Sequence, residues 1–252
     1  MKIISWKIDL ENFYTEFISD MHLGSLAFNE MKFQERVNAI KRAKNRLWLG
    51  VGDYIDAIYP MNIEKRWDAF SRDRRYLTID EQIEGVVKLF TPIKRKCLGL
   101  LPGNHELSYY RRTGFNPTAE IAKRLGVQEL DSVNLITLVT PVRKVTIFIM
   151  HGSYAGRRIG GAINRLEEYV GCFEADVYVM AHTHFKGVWE TSRLVVEEGK
   201  LKDKKILLGL TGSFYESYKQ GVQTYSEWKA LRPRRLGTIT LAVIGKKLAW
   251  LT

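Results

Sequence analysis

The sequence has few cysteines and no long apolar run. Cys97 and Cys172 are its only cysteines, and neither has the spacing of a metal-binding pair. Two lone cysteines are more often small buried residues than a disulfide, which favours a reducing, cytoplasmic location. No stretch reaches the length of a membrane span, and Lys7, Asp9 and Glu11 interrupt the apolar N-terminus before it could form a secretion signal.

Low-complexity tracts, linkers and internal repeats are also absent, so we expect a single domain over residues 1–252. Hydrophobic residues make up 45% of the chain and charged residues 27%, which is an ordinary balance for a globular protein. The formal net charge is +11. This excess favours polyanionic partners such as nucleic acid, although it says nothing about the fold.

What the sequence does contain is a series of short apolar runs that end abruptly in polar or ionisable residues. This pattern predicts buried strands that lead into functional loops. The five runs are Phe13 to Ser19, Leu47 to Val51, Cys97 to Leu101, Val145 to Met150 and Val177 to Met180. Helical periodicity predicts helices over 31–45, 79–90, 117–125 and 161–171. Such alternation indicates a layered α/β core, whose ligand site lies beyond the carboxyl ends of the strands.

The pattern changes after His184. Strands are predicted over 189–196 and 205–211, joined by the polar turn "EEGKLKDK", and a terminal hairpin is predicted around "GKK". We therefore expect the C-terminal quarter to be all-β.

All five histidines stand beside Asp, Asn, Gly or another His at the ends of the predicted strands, in the motifs "DMH", "GNHE", "HG" and "HTH". Asp20 and His22 are two residues apart, so on an extended backbone they would point to the same side and could share one cation. His182 and His184 repeat this spacing. Asp53 follows "GVG", where glycine lets the backbone pass close to an ion.

Imidazole, carboxylate and amide oxygen without thiolate suit divalent Mn, Fe, Zn or Ni. Seven candidate ligands exceed the needs of one ion, so we expect two divalent ions that share Asp53, about 3.5–4 Å apart as in other two-metal sites. Each motif alone is more often structural. Burying all of them together without a cation would be costly, because the desolvation of polar groups is unfavourable.

This ordered set of motifs resembles the calcineurin-like metallophosphoesterase superfamily. The resemblance implies an α/β fold, a four-layer αββα sandwich of two mixed β-sheets flanked by helices. It implies a first metal held by Asp20, His22, Asp53 and His184, and a second held by Asp53, Asn104, His151 and His182. It also makes His105 the proton donor to the leaving oxygen and Glu106 the acidic residue that orients His105.

Three positions depart from the family pattern. Ala181 stands where the family usually has glycine, and Glu106 where it often has aspartate, but neither departure removes a ligand. Ala57 stands where the protein Ser/Thr phosphatase branch has arginine, which disfavours that branch.

We expect a phosphodiesterase that acts on nucleic acid or nucleotide-like diesters, with a water activated between the two ions as the nucleophile. Arg157 and Arg158 follow His151 and are candidates to bind a substrate phosphate, although a solvated basic loop would look the same. Basic and aromatic residues at 64–76 and 111–115 follow other motifs, and they too fit either a substrate-binding rim or a surface helix. A phosphomonoesterase or a pyrophosphohydrolase for nucleotides or lipid-linked sugars is the alternative enzyme, and a non-catalytic scaffold is the alternative outside enzymes.

The aromatic residues near the C-terminus leave three interpretations open. They are Phe214, Tyr215, Tyr218, Tyr225 and Trp228. They could form a platform for a base or sugar, pack in the core, or form the contact of a homodimer.

Overall fold

The computed structural model describes residues 1–57, 71–154 and 156–251. Within these residues the strands are β1 (Lys2–Lys7), β2 (Asn12–Ile18), β3 (Arg46–Val51), β4 (Cys97–Leu101), β5 (Val133–Val139), β6 (Lys144–Met150), β7 (Val177–Met180), β8 (Lys186–Glu197), β9 (Lys200–Thr211), β10 (Thr240–Ile244) and β11 (Lys247–Leu251). The helices are α1 (Glu30–Arg42), α2 (Ile79–Phe90), α3 (Asn104–Thr113), α4 (Pro117–Leu125), α5 (Ile159–Glu167) and α6 (Tyr225–Trp228), with 3₁₀ turns at Thr91–Lys96 and Glu168–Gly171.

The strands form two mixed sheets. One has the order β11-β10-β2-β3-β4, and its strands β2, β3 and β4 are parallel. The other has the order β1-β5-β6-β7-β9-β8, and its strands β6, β7 and β9 are parallel. The five strands predicted to lead into motifs are β2, β3, β4, β6 and β7. Because they run parallel within each sheet, the motifs that follow them collect at one edge of that sheet.

The sheets and helices pack in four layers. Phe17 of the first sheet and Ile147 of the second belong to one buried cluster, which lies between the sheets. Trp48, on the other face of the first sheet, packs with Phe33 of α1 and with residues of α2 and α4. Leu166 of α5 belongs to a third cluster with outer-face residues of the second sheet. The predicted four-layer αββα sandwich of two mixed sheets is therefore confirmed.

Capping residues set the ends of the helices. α2 begins after Thr78, whose side chain and that of Glu81 form a capping box, and it spans the predicted range. α4 begins at Pro117 and stops at Gly126, which has a φ of +68°. α1 ends at Arg42, earlier than predicted, because the backbone turns extended at the next residue. α5 covers part of the predicted range and continues as a 3₁₀ turn. None of the helices in the described part of the chain is long and apolar enough to cross a membrane.

Several expectations from the sequence were wrong. The C-terminal quarter is not all-β, since it contains α6. β8 and β9 reach further into the predicted polar turn, because Glu198 and Gly199 both have positive φ and close a two-residue hairpin turn. The edge strand β1, the strand β5 and the helix α3 were not predicted. Cys172 is exposed and Cys97 only partly buried; both are free thiols.

Candidate metal centre

The five motifs come together where the two sheets present their carboxyl-terminal edges to the same space. Asp20 and His22 follow β2, Asp53 follows β3, and the motif that contains Asn104 follows β4. From the second sheet, His151 follows β6, while His182 and His184 follow β7. The glycines allow this close approach: a Cβ on Gly103 would stand 2.1 Å from Oδ1 of Asp53.

Five of the seven candidate ligands have a left-handed backbone. The φ angles are +50° at Asp20, +51° at His22, +53° at Asp53, +65° at His182 and +54° at His184. The expectation of an extended backbone at the two paired motifs was therefore wrong. Each such residue costs about 1 kcal/mol or more, and strain of this kind gathers at functional sites.

The first group of side chains comes from β2, β3 and β7. Nε2 of His184 lies 3.4 Å from Oδ1 of Asp20 and 3.1 Å from Nε2 of His22. Nε2 of His22 lies 3.9 Å from Oδ2 of Asp53. Asp20, His22 and His184 thus direct their ligand atoms into one space, as the resemblance implied for the first metal.

The second group shares Asp53 with the first. Oδ2 of Asp53 lies 3.2 Å from Nε2 of His151. Oδ1 of Asn104 lies 3.0 Å from that same nitrogen and 2.7 Å from Nδ1 of His182. Asp53, His151 and His182 form a cluster that could hold an ion, and Asn104 adds an amide oxygen to it. The structure therefore brings together all the residues expected at the second metal.

The residues fit a divalent cation. Asp20 is fully buried, and among the described residues its carboxylate oxygens accept no well-formed hydrogen bond, although Nε2 of His184 lies 3.4 Å from Oδ1. A buried carboxylate without hydrogen bonds is costly unless a positive charge compensates it. Carboxylate, imidazole and amide atoms within coordination reach of one another are the donor set that borderline divalent metals accept. We identify this cluster as a divalent-metal site.

The electrostatics of the cluster favour the metal-binding forms of Asp53, His22 and His182, whereas His151 has to release a proton to bind a metal. Burial raises the pKa of Asp53, but the neighbouring imidazoles of His151 and His105 outweigh burial and hold the pKa well below its ordinary value. Burial lowers the pKa values of His22 and His182, which favours the neutral imidazole that binds metals. The pKa of His151 is raised to about 10, because the carboxylate of Asp53 offsets the opposing effect of burial.

A hydrogen bond and a longer polar contact behind the cluster orient two of its imidazoles. Nδ1 of His151 lies 2.7 Å from the backbone oxygen of Val51, which leaves Nε2 facing the site. Nδ1 of His22 lies 3.7 Å from Oδ1 of Asp56, while its Nε2 faces the cluster. Partners of this kind hold the rings of metal-binding histidines in their ligating orientation.

His105 lies beside the cluster at the start of α3. Its backbone N–H donates to Oδ1 of Asp53 at 3.0 Å, and its ring centroid is 4.6 Å from that of His22. Nδ1 of its ring lies 2.6 Å from the backbone oxygen of Asp56 and 3.7 Å from Oδ1 of that residue. Burial lowers the pKa of His105, but Asp53 and Asp56 more than offset this, so the pKa is raised.

Glu106, the residue expected to orient His105, contacts the backbone of the loop that carries Asp53. Its buried carboxylate accepts four backbone N–H groups, from Asp53 and Gly103 on one oxygen and from Tyr54 and Ile55 on the other, at 2.7–3.1 Å. Burial and the charge of Asp53 raise the pKa of Glu106, while these donors stabilise its ionised form. Glu106 therefore holds the loop that carries Asp53. The ring of His105 contacts Asp56.

We expect Glu106→Gln to lower the free energy of unfolding by about 3 kcal/mol, because the glutamine N–H₂ group would face backbone donors that lose their acceptor. Urea denaturation followed by circular dichroism measures this change. Glu84→Gln is the matched control on the exposed face of α2, and it should leave the unfolding midpoint unchanged. A Glu106→Gln midpoint equal to that of the wild type would show that these four bonds do not hold the loop.

Other predicted residues lie outside the two ligand groups or outside the described residues. Arg157 and Arg158 are exposed and directly precede α5, in the segment that follows His151. Their role as phosphate-binding residues stays a prediction. Within the predicted stretch 64–76, residues 64–70, with Trp67 and Phe70, lie outside the described residues.

Two residues of the centre, Asp56 and Tyr215, were not predicted to lie beside the metal ligands. Asp56 was not among the predicted site residues, although its position in "GDYID", three residues after Asp53, was a usable signal. Tyr215 packs its ring 5.4 Å from that of His22 and 5.6 Å from that of His184. No local motif marks Tyr215, since it approaches from a segment 31 residues beyond His184.

The calcineurin-like phosphoesterase family matches residues 17–228 of this chain, most of its length and all the residues of the metal centre. The chain belongs to the calcineurin-like phosphoesterase family. It is a metal-dependent phosphoesterase, with the divalent-metal site that the His and Asp clusters form. No sequence among curated proteins matches it significantly.

Comparison with solved structures finds proteins of low sequence identity. Vps29 from Chaetomium thermophilum is 11% identical, with 96% of this chain and 87% of that chain covered and a TM-score of 0.48. A metallophosphoesterase from Sphaerobacter thermophilus is 12% identical, with 95% and 87% covered and a TM-score of 0.44. The Pseudomonas putida nuclease MPE is 13% identical, with 94% and 87% covered and a TM-score of 0.38. The family assignment rests on the sequence match.

Proposed function

We propose that this chain is a phosphodiesterase that acts on nucleic acid or nucleotide-like diesters with two divalent ions, manganese being the first choice. The observation that supports two ions is the position of Asp53. Its Oδ2 faces His22 of one ligand group and His151 of the other, at 3.9 and 3.2 Å. We assign Asp20, His22, Asp53 and His184 to one ion, and Asp53, Asn104, His151 and His182 to the other.

Bound ions would lower the pKa of a water molecule and stabilise charge on the phosphoryl oxygens. The protein supplies the rest of the reaction. We assign His105 as the catalytic acid that protonates the leaving oxygen, because its ring is partly exposed beside the cluster and its side chain is anchored at Nδ1. That anchor leaves Nε2 to face the substrate.

Two residues act as positioning residues in this proposal. Asp56 holds the rings of His105 and His22 through Nδ1 of each. Glu106 holds the backbone of the loop that presents Asp53. Neither residue needs to touch the substrate, because their effect is to keep the acid and the ligands in their reactive orientation.

A polyanionic nucleic acid fits the charge of the chain better than a small substrate with one or two phosphates does. The formal net charge of +11 attracts nucleic acid by a long-range, salt-dependent effect. Arg157 and Arg158, next to the segment that carries His151, are our candidates for binding a phosphate of the substrate. The free thiols Cys97 and Cys172 agree with the reducing cytoplasmic location that we propose for a single domain over residues 1–252.

The decisive assay offers several phosphoesters to the purified protein. Protein stripped of metal and reloaded with Mn²⁺ is given bis(p-nitrophenyl) phosphate, p-nitrophenyl phosphate, cyclic nucleotides, and single-stranded and duplex DNA. We expect hydrolysis of the aryl diester and of DNA, with activity lost in EDTA and restored by Mn²⁺. Hydrolysis of the monoester alone would support a phosphomonoesterase instead, and no hydrolysis by a metal-free preparation that takes up no Mn²⁺ would support a scaffold.

A further inference from the structure

The segment between β9 and β10 forms one wall of the metal centre. The backbone N–H of Phe214 donates to the backbone oxygen of Asp20 at 3.1 Å, and the buried ring of Tyr215 contacts the rings of His22 and His184. Tyr215 also anchors a later part of the chain, because its hydroxyl oxygen accepts the backbone N–H of Tyr225 at 3.1 Å. Tyr215 thus links the centre directly to the first residue of α6.

The aromatic residues of this segment divide into two kinds. Phe214 and Tyr215 are buried, so they belong to the core and to the wall of the centre. Tyr225 and Trp228 of α6 are 47% and 49% exposed, and their ring centroids are 6.4 Å apart. Large aromatic side chains exposed next to a centre that cleaves phosphoesters are the kind of surface on which bases stack.

The same segment carries an excess of positive charge. Its basic residues are Lys219, Lys229, Arg232, Arg234 and Arg235, against two acidic residues, Glu216 and Glu227. Lys219 is paired with Glu216 at 3.1 Å, and Nζ of Lys229 lies 3.8 Å from the centre of the Trp228 ring. The guanidinium of Arg234 stacks on Phe185, which directly follows His184, at 3.7 Å. Cations therefore stand both among the exposed aromatics and beside a ligand of the metal centre.

We propose that Tyr225 and Trp228 form a stacking platform for an unpaired base of a single-stranded nucleic acid, whose phosphates pair with Lys229 and the arginines at 232–235. This inference rests on the proposed function and specifies its substrate. Alternating aromatic and cationic side chains are how proteins bind single strands without reading sequence. A dimer contact would not need this excess of cations, since two copies would bring like charges together.

Binding measured without cleavage tests the platform. The full chain in EDTA is titrated into a fluorescein-labelled oligothymidylate of about twelve nucleotides, and anisotropy gives the Kd. We expect Trp228→Ala to raise the Kd about tenfold, a loss in the range that removal of one stacking side chain causes, and Trp228→Phe to recover most of it. Leu194→Ala is the control, because Leu194 is 65% exposed on the β8–β9 hairpin, outside the segment that lines the metal centre.

A second oligomer separates stacking from charge. On a chain of abasic sugars and phosphates, the wild type should bind no more tightly than Trp228→Ala binds the oligothymidylate, because Tyr225 also loses its base, and Trp228→Ala should weaken binding no further. An equal loss on both oligomers would overturn the proposal, because stacking needs a base. So would a wild-type dimer, seen by size-exclusion chromatography with light scattering, that Trp228→Ala dissociates, since the surface would then be a protein interface.

The rate on bis(p-nitrophenyl) phosphate separates this proposal from the proposed function. Mn²⁺-loaded Trp228→Ala should hydrolyse this small diester at the wild-type rate while its KM for single-stranded DNA rises about tenfold. If the wild type hydrolyses the small diester but binds oligothymidylate no more tightly than Trp228→Ala does, the platform is wrong and the enzyme class stands. If it hydrolyses neither, the proposed function fails, and the binding comparison still decides whether the platform exists.

Discussion

Asp53→Ala is expected to lose both metal ions and all measurable hydrolysis. Oδ2 of Asp53 is the atom that faces both ligand groups, and its Oδ1 accepts the backbone N–H of His105. Its removal takes a negative charge from each metal and leaves several buried imidazoles without a counter-charge. Elemental analysis of the purified variant should find almost no bound divalent metal, where the wild type holds about two ions per chain.

Two further variants make this result specific. Asp53→Asn removes the negative charge without adding backbone strain, because asparagine tolerates a positive φ as aspartate does. It should also lose most of its metal. Asp176→Ala is the control for loss of a buried aspartate, since Asp176 accepts the backbone N–H of Thr146, in the middle of β6 rather than at its end. It should keep both ions. Full retention of two ions by Asp53→Ala would show that Asp53 is not the shared ligand.

His105→Ala is expected to keep its metals and lose about 10²–10⁴-fold in kcat on DNA. The ring of His105 is anchored to Asp56 and is not needed to complete either proposed ligand set, so its removal takes away the proton donor and leaves the ions in place. A DNA strand leaves as an alkoxide and needs that proton. p-Nitrophenolate is a much better leaving group, so the loss on bis(p-nitrophenyl) phosphate should be far smaller.

The comparison of leaving groups is the measurement that identifies an acid. Single-turnover rates of the wild type and of His105→Ala are compared on both substrates, with elemental analysis of the same samples. A loss of equal size on the two substrates, or loss of metal with the ring, would mean that His105 acts on the metal centre and not on the leaving oxygen. Full activity on DNA would remove His105 from the mechanism.

Much of the centre could be predicted from local sequence. Buried strands end where apolar side chains give way to polar ones, so β4 and β7 were predicted with their observed limits. The proposed ligands follow such strand ends, and parallel strands bring their carboxyl ends together. The sequence also predicted the start and the stop of α4 from Pro117 and Gly126, because the proline ring and a left-handed glycine act on the chain within one turn.

Other features depend on contacts between distant parts of the chain. The strand β1 was missed because it lies at the edge of its sheet. Its side chains alternate between partly buried and exposed positions only when β5 pairs with it. The left-handed backbone at Asp20 and His182 was missed because a local reading favours the unstrained extended form, and only the surrounding structure can hold the strained one. No local sequence pattern places Tyr215 beside the metal ligands; the folding of the chain brings it there.

By itself, the sequence determined the residue types, the order of the motifs and the strand ends that carry them, and therefore the divalent-metal chemistry of this phosphoesterase. These are local properties, since the alternation of apolar and polar side chains and the donor atoms of Asp, Asn and His do not depend on the rest of the chain. Only the tertiary structure decided the partners: Glu106 holds the Asp53 loop, Asp56 lies against His105, and Tyr215 links the centre to α6. Those contacts join residues far apart in sequence, and which donor meets which acceptor there is settled by the packing of the two sheets.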